Sequence, residues 1–327
     1  MRLTPPKVVL VLCLGLAACE PAATEREASR AAGTKSKTKN GKKACFKIVN
    51  GEETSNRPEV GFIFSVISNT ETGACTGTFV SANTMLTAAH CIENGLTPNY
   101  VPGTSFDLSR GDLIEKWVAE APKVKDVIVS ELDTESNGTI RSDKGYKDIA
   151  VIIFEDDVAP AIMPLLGRSP KKDEKVEVMG FGLTTALEGG QAPSVSKKRH
   201  GFNKIYKQDQ IDEGYKDSIV IVGDATTNGS DKSLTGHGDS GGPLIVDGAI
   251  AGICSSGGPV PDEAKDLFNN EEALTAFADL SSSYALDFLK DAEAAGAVFT
   301  HEGDDLSVES VSDENTTEDE QEEELCE

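Results

Sequence analysis

Gly238-Asp239-Ser240-Gly241-Gly242-Pro243 decides the reading of this chain, because of what stands far upstream of it: Thr87-Ala88-Ala89-His90-Cys91. A serine in a glycine-rich turn is a candidate nucleophile. It is weak at neutral pH unless a base takes its proton as it attacks. Histidine is the natural base, because its unperturbed pKa lies close to neutrality. The four histidines are His90, His200, His237 and His301. His90 stands apart because Ala88, Ala89 and Cys91 place it at the end of a small, apolar segment beside a cysteine. Between the two stretches Asp148 heads the run Ile149-Ala150-Val151-Ile152-Ile153-Phe154. A carboxylate at the start of a buried strand needs a partner. The protonated ring nitrogen of His90 meets that need; the plainer alternative is an Asp that only caps its strand. Gly238, Gly241 and Gly242 let the backbone turn at positive φ. The N–H groups of Gly238 and Ser240 are then the candidate donors to a developing oxyanion, each worth about 3 kcal/mol in a transition state.

Outward from these stretches the chain is a series of short apolar runs between Gly, Pro, Asn and Asp. Expected strands are Phe62–Ile67, Thr78–Val80, Met85–Ala88, Val127–Val129, Ile149–Phe154, Lys175–Met179, Ile219–Val222, Pro243–Val246 and Ala249–Cys254. Many short strands at this spacing predict an all-β fold rather than βαβ units. One helical pattern follows, in Tyr284, Leu286, Phe288, Leu289, Ala292 and Ala295, with Ser281–Ser283 as cap candidates. Gly-Asp-Ser-Gly-Gly also fits the G-x-S-x-G turn of α/β-hydrolases, but that site needs a helix after the serine and a histidine last in the chain. Here an apolar strand pattern follows Ser240, and the only later histidine, His301, borders an acidic tail.

The 327 residues suffice for one large or two small cores. Net charge is −24, which argues against nucleic acid as a partner, since phosphate binding needs a basic face. Residues 302–327 hold 13 Asp and Glu and no Lys or Arg, so about half of the imbalance sits in one tail. That tail lacks the spaced oxygen ligands and central glycine of a calcium loop and reads as a solubilising segment. The seven cysteines form no CxxC pair, so no metal is expected, and no cofactor is expected either.

The N-terminus has Arg2 and Lys7 ahead of the apolar run Val8–Leu16, too short to span a bilayer as a mature helix. The run ends Leu16-Ala17-Ala18-Cys19, which resembles a bacterial lipobox with Cys19 as the lipidated residue. The alternative is an ordinary signal peptide cleaved nearby. Residues 1–18 are thus expected to be a lipoprotein-type signal. Residues 19–47 read as a flexible tether or pro-segment, and 298–327 as a disordered acidic tail. The expected protein is exported and anchored to a membrane only through lipid, or else secreted.

Five elements, in order, resemble the chymotrypsin/trypsin-like serine proteases: Ile48-Val49-Asn50-Gly51; Cys75 with Thr87-Ala88-Ala89-His90-Cys91; Asp148-Ile149-Ala150-Val151; Gly238-Asp239-Ser240-Gly241-Gly242-Pro243; and Gly252-Ile253-Cys254-Ser255-Ser256-Gly257. The likeness covers about residues 48–297. It implies two six-stranded antiparallel β-barrels with a C-terminal helix, whose apolar face is expected to pack on the second barrel, and a triad of Ser240, His90 and Asp148 acting on polypeptide substrates through an acyl-enzyme. It implies a Cys75–Cys91 disulfide, which would hold the His90 backbone still. It also implies activation by an external protease that cuts Lys47–Ile48, after which the Ile48 α-amino group would pair with a buried Asp239. In the uncut precursor that region should be held differently. Ser255 would bond Asp148, and backbone groups of Ser255 and Gly257 would pair with substrate as an added strand. Leu234, Thr235 and Thr275 would face the specificity pocket. Leu234 stands where an acid often selects Lys or Arg, so a small or medium uncharged side chain is expected at the cleaved position. Cys254 is expected to be a buried thiol, and Cys45 and Cys326 either pair or stay reactive. A reading from another class is a catalytically silent binding lipoprotein on the same fold; the intact His90, Asp148 and Ser240 argue against it.

Overall fold

Runs of β-branched and aromatic residues that are apolar at successive positions form strands buried on both faces, as Ala150–Phe154 and Ser218–Gly223 do. The computed structural model describes residues 48, 51–68, 71–92, 97–131, 146–182, 195–206, 217–223, 231–260, 265–266, 268 and 271–304. The expected signal peptide, Cys19, the tether, Cys45 and Cys326 lie outside them.

Two curled antiparallel sheets carry the fold. The first has six strands in the order Asn99–Val101, Val60–Ser68, Glu71–Phe79, Thr84–Thr87, Ala150–Phe154, Val124–Val129. The second runs Glu52–Glu53, Arg199–Lys204, Lys175–Gly180, Pro243–Val246, Ala249–Pro259, Ala273–Asp279, Ser218–Gly223. The expectation of six strands per barrel therefore holds for the first sheet. The second gains a seventh, the two-residue edge strand Glu52–Glu53, which pairs with Arg199 and His200. A small separate ladder joins Val195–Lys197 to Ser105–Asp107. Phe62, Phe79, Met85, Tyr100 and Phe154 fill the first core; Ile48, Val178, Leu234, Leu244 and Phe277 fill the second.

The C-terminal helix is Ser283–Ala294, and its N-cap is Ser282, whose hydroxyl accepts from the Ala285 N–H at 3.2 Å. It buries Ala285, Leu289 and Ala292, which join the first core. The expectation that this helix packs on the second barrel is corrected. Its return segment explains why: the Val298 N–H donates to Thr84 Oγ1 on the first sheet, and the Thr300 N–H to the carbonyl of Val80, next to that sheet's strand Glu71–Phe79. The expected tail boundary at 298 is also early, because these bonds and the Glu302 N–H bond to the Leu165 carbonyl keep the backbone packed to Asp304. A second helix, Gly111–Glu120, was not expected from the sequence. No helix among the described residues is long and apolar enough to cross a membrane.

Candidate active site

Ser240 sits on the turn that enters the strand Pro243–Val246, and a strand, not a helix, follows it. The turn is clamped from the first sheet. The Thr76 N–H donates to the Ser240 carbonyl at 2.8 Å, and the Thr76 hydroxyl to the Gly238 carbonyl at 3.0 Å. Gly241 has φ +81°, and a Cβ there would lie 2.1 Å from Thr87 Oγ1 and 2.3 Å from the Thr76 carbonyl. Only glycine allows the two sheets to close on each other at this point. Gly238, at φ +97°, sets the other side of the turn. Asp239, Gly241 and Gly242 donate their N–H groups internally, to Gly236, Cys254 and Asp239. Among the described residues the N–H groups of Gly238 and Ser240 have no such acceptor.

His90 lies on a short 3-10 turn, Ala89–Cys91, directly after the strand Thr84–Thr87. Cys91 is bridged to Cys75, with the two Cα atoms 6.2 Å apart, and its Sγ lies 3.7 Å from the Ser240 carbonyl. The serine turn and the histidine turn are therefore neighbours. Asp148 is fully buried and takes three hydrogen bonds: the His90 N–H at 3.0 Å, His90 Nδ1 at 2.7 Å and the Ser255 hydroxyl at 2.7 Å. A carboxylate accepts, so Nδ1 carries a proton, and in the neutral ring this leaves Nε2 as the acceptor. Ser255 reaches Asp148 because the ladder with Ala273–Asp279 shifts register between Cys254 and Ser256, a bulge that turns its hydroxyl inward.

The disulfide closes a loop of sequence separation 16 around this turn. Replacing both Cys75 and Cys91 by Ala is expected to cost about 3 kcal/mol of stability. Urea denaturation under non-reducing conditions measures it, and an unchanged midpoint would remove the disulfide from the account of His90's rigidity.

The remaining expected residues are placed as follows. Leu234 is wholly buried in the second core, and Thr235 and Thr275 are buried with their hydroxyls 3.2 Å apart. Cys254 is a free, buried thiol 3.2 Å from Thr235 Oγ1, and burial pushes its pKa up. Gly257 is exposed near the end of the long strand Ala249–Pro259. Asp239 is fully buried and accepts from the Gly182 N–H at 2.7 Å and the Gly236 N–H at 2.8 Å. Burial raises its pKa from 3.8 to about 7, against the pull of these two N–H groups and of Arg199. Ile48 is also fully buried, at φ +51°, an unfavourable backbone for a β-branched residue. In the continuous chain the Ile48 side chain is already in the second core and Asp239 already has two donors, because both are placed by the sheet around them.

A raised carboxyl pKa has a definite sign in stability. Asp239 binds its proton more tightly in the fold than in the unfolded chain. Its contribution is therefore full below about pH 4 and is lost as pH rises through about 7, by a total on the order of 4 kcal/mol. The uncut wild type should lose stability relative to Asp239→Asn between pH 4 and pH 8. Urea titrations of the two at both pH values test this, and a constant difference would contradict it.

A serine held beside a histidine, with the histidine oriented by a buried carboxylate on two half-barrel sheets, defines a class of protein, and sequence comparison defines the family. The Trypsin family model matches residues 48–271, and the chain belongs to that family. It is 28% identical over 228 residues to Trypsin 5G1 of Aedes aegypti, covering 67% of this chain and 78% of that protein. It is 27% identical over 216 residues to the trypsin of Saccharopolyspora erythraea, covering 64% and 86%. Among solved structures it resembles neuropsin, a serine protease expressed in the limbic system of mouse brain, with TM-score 0.50 and 20% identity over 73% of this chain and 98% of that one. It also resembles human heparin binding protein, with TM-score 0.50 and 15% identity over 76% and 98%. At these identities the structural likenesses speak for the fold.

Two residues to which the sequence assigned no role are Thr76 and Thr87. Thr76 ties the Ser240 turn to the first sheet, and Thr87 Oγ1 donates to the Thr76 carbonyl at 2.9 Å. The position of Thr76 directly after Cys75 is the only local signal for it.

Proposed function

We propose that this chain is a serine endopeptidase. The observation that carries the reading is Asp148, fully buried yet bonded at once by the His90 backbone, the His90 ring and Ser255. Burying a carboxylate is costly, and the His90 ring it orients gives the burial a role in chemistry. The steps are those general to trypsin-like proteases. Ser240 Oγ attacks the carbonyl carbon of the peptide bond while His90 Nε2 takes its proton. The oxyanion receives the N–H groups of Gly238 and Ser240. His90 returns the proton to the leaving amine, and the acyl group stays on Ser240. Water then attacks the ester, His90 takes its proton and gives it back to Ser240 Oγ, and the acid product leaves. Asp148 stabilises the imidazolium in both halves and does not itself take the proton.

Cleavage of Lys47–Ile48 by another protease is the proposed activating event. It would free the α-amino group of Ile48, relieve the constraint on a residue at φ +51° and offer a cation to Asp239. Leu234 places no acid at the pocket floor, so the substrate side chain at the cleaved bond is small or medium and uncharged, and Lys47 is not a site for self-cleavage. Cys19 is the proposed lipid attachment point of an exported protein. The fold shared with human heparin binding protein does not suggest heparin here, because a net charge of −24 repels a polyanion.

The test is hydrolysis of a fluorogenic peptide set by the full chain before and after cutting at Lys47–Ile48. Faster turnover after cutting, with preference for uncharged residues such as Ala or Val, is the expected result. A folded, cut chain that hydrolyses none of the set would favour the silent binding protein.

A further inference from the structure

Two cations are buried where the strand Arg199–Lys204 begins, and they differ. Lys198 Nζ donates to the Arg57 carbonyl and faces the buried Glu59, so its position is explained by local partners. Arg199 is only 2% exposed and has no comparable interior partner. Its NH1 donates to the Lys197 carbonyl at 2.9 Å and its NH2 to Glu53 Oε1 at 3.1 Å. The Glu53 side chain is 43% exposed and is shared with Lys197, so water and a second cation screen it. Arg199 Nε is buried with no hydrogen-bond partner among the described residues. A buried guanidinium with a screened carboxylate on one side is expensive unless another charge answers it.

That charge lies across the ladder. Arg199 pairs in register with Gly180, and Gly180 packs directly on Asp239: a Cβ there would lie 2.3 Å from Asp239 Oδ1. Asp239 is fully buried, and among the described residues it forms no ion pair within 4.0 Å; its direct partners are two backbone N–H groups. We propose that Arg199 is a built-in counter-charge for Asp239, a positioning residue that holds the Gly238–Ser240 turn in working shape before any cleavage. The proposal rests on the reading of this turn as the oxyanion site. The attraction is mutual: Arg199 draws the Asp239 pKa down and Asp239 draws that of Arg199 up, each against the larger effect of burial. Cutting at Lys47–Ile48 adds the Ile48 ammonium as a second cation. The two then share one carboxylate, so loss of Arg199 weighs most on the uncut chain.

The consequence is that the single chain is not fully silent. The experiment uses the full-length chain with Lys47→Gln, which stays uncut, and reads two quantities. The first is the Asp239 titration, followed by carboxyl carbon NMR and assigned with Asp239→Asn. Arg199→Met is expected to raise its midpoint by about one unit. Arg199→Lys should restore most of that shift. Glu53→Gln removes the surface pair but keeps the guanidinium charge, so it should leave the midpoint in place. The groups facing Arg199 are Glu53, Lys197 and Asp239, and the Glu53 variant separates the first from the last. The second quantity is peptide hydrolysis. Arg199→Met should cut the turnover of the uncut chain by about tenfold, equivalent to one unit of pKa, and that of the chain with native Lys47, once cut, by less than about twofold. An unchanged Asp239 midpoint in Arg199→Met, or equal losses in cut and uncut forms, would overturn the proposal. Failure of the peptidase reading is recognised separately, by a cut wild type without turnover, and leaves the titration as the deciding readout for the charge pair.

Discussion

Ser240→Ala is expected to abolish peptide hydrolysis by the cut chain, by about 10⁶-fold in kcat, while leaving the fold intact. The size follows from the role. Without Oγ no acyl-enzyme forms, and what remains is the smaller contribution of the oxyanion donors and of substrate binding. The fold should be indifferent, because the turn is fixed through backbone atoms: the Ser240 carbonyl accepts from Thr76 and is approached by Cys91 Sγ. Neither contact needs the hydroxyl. Matching turnover assays with far-UV circular dichroism and urea denaturation separates the two effects. A loss of activity that tracks a loss of structure would make Ser240 a structural residue.

Asp148→Asn should lower kcat by about 10⁴-fold with little change in KM. The substitution keeps the size but reverses the polarity of one bond. An amide presents a donor where the Nδ1 proton of His90 now donates at 2.7 Å, so the ring turns to its other tautomer and Nε2 carries the proton. A protonated Nε2 accepts nothing from Ser240. Ser255 also bonds Asp148, at 2.7 Å, so Ser255→Ala is a milder probe of the same carboxylate. The check is a pH–rate profile. The Asn variant should recover activity at high pH, where hydroxide replaces the missing base. A variant that merely misfolds would not.

Much of the fold was legible because its signals are local. The buried run after Asp148 and the glycine turn around Ser240 carry their own geometry, and the cap at Ser282 was among the three serines expected. What the sequence left unread is of another kind. The helix Gly111–Glu120 has no fully buried residue, and only Ile114 and Trp117 reach the first core, so its apolar stripe is too thin to stand out. Arg199 sits in Lys197-Lys198-Arg199-His200, a run that reads as a solvated face. Its burial depends on Glu53, 146 residues away, and on a ladder partner, Gly180, that only the folded sheet supplies. The packing of the C-terminal helix was misread for the same reason, since Thr84 and Val80 are far from Val298 and Thr300 in sequence. Leu234 had a legible identity and an unread setting, because its place in the second core comes from Leu244 and Phe277.

If Ser240 is an activated nucleophile, it reacts with a fluorophosphonate probe. The full chain, the chain cut at Lys47–Ile48 and the cut Ser240→Ala variant are incubated with the probe at neutral pH, and the labelled residue is mapped by peptide mass. Rapid labelling of the cut chain at Ser240, slower labelling of the uncut chain and none of the variant are expected. A cut chain that is folded and stays unlabelled would contradict this.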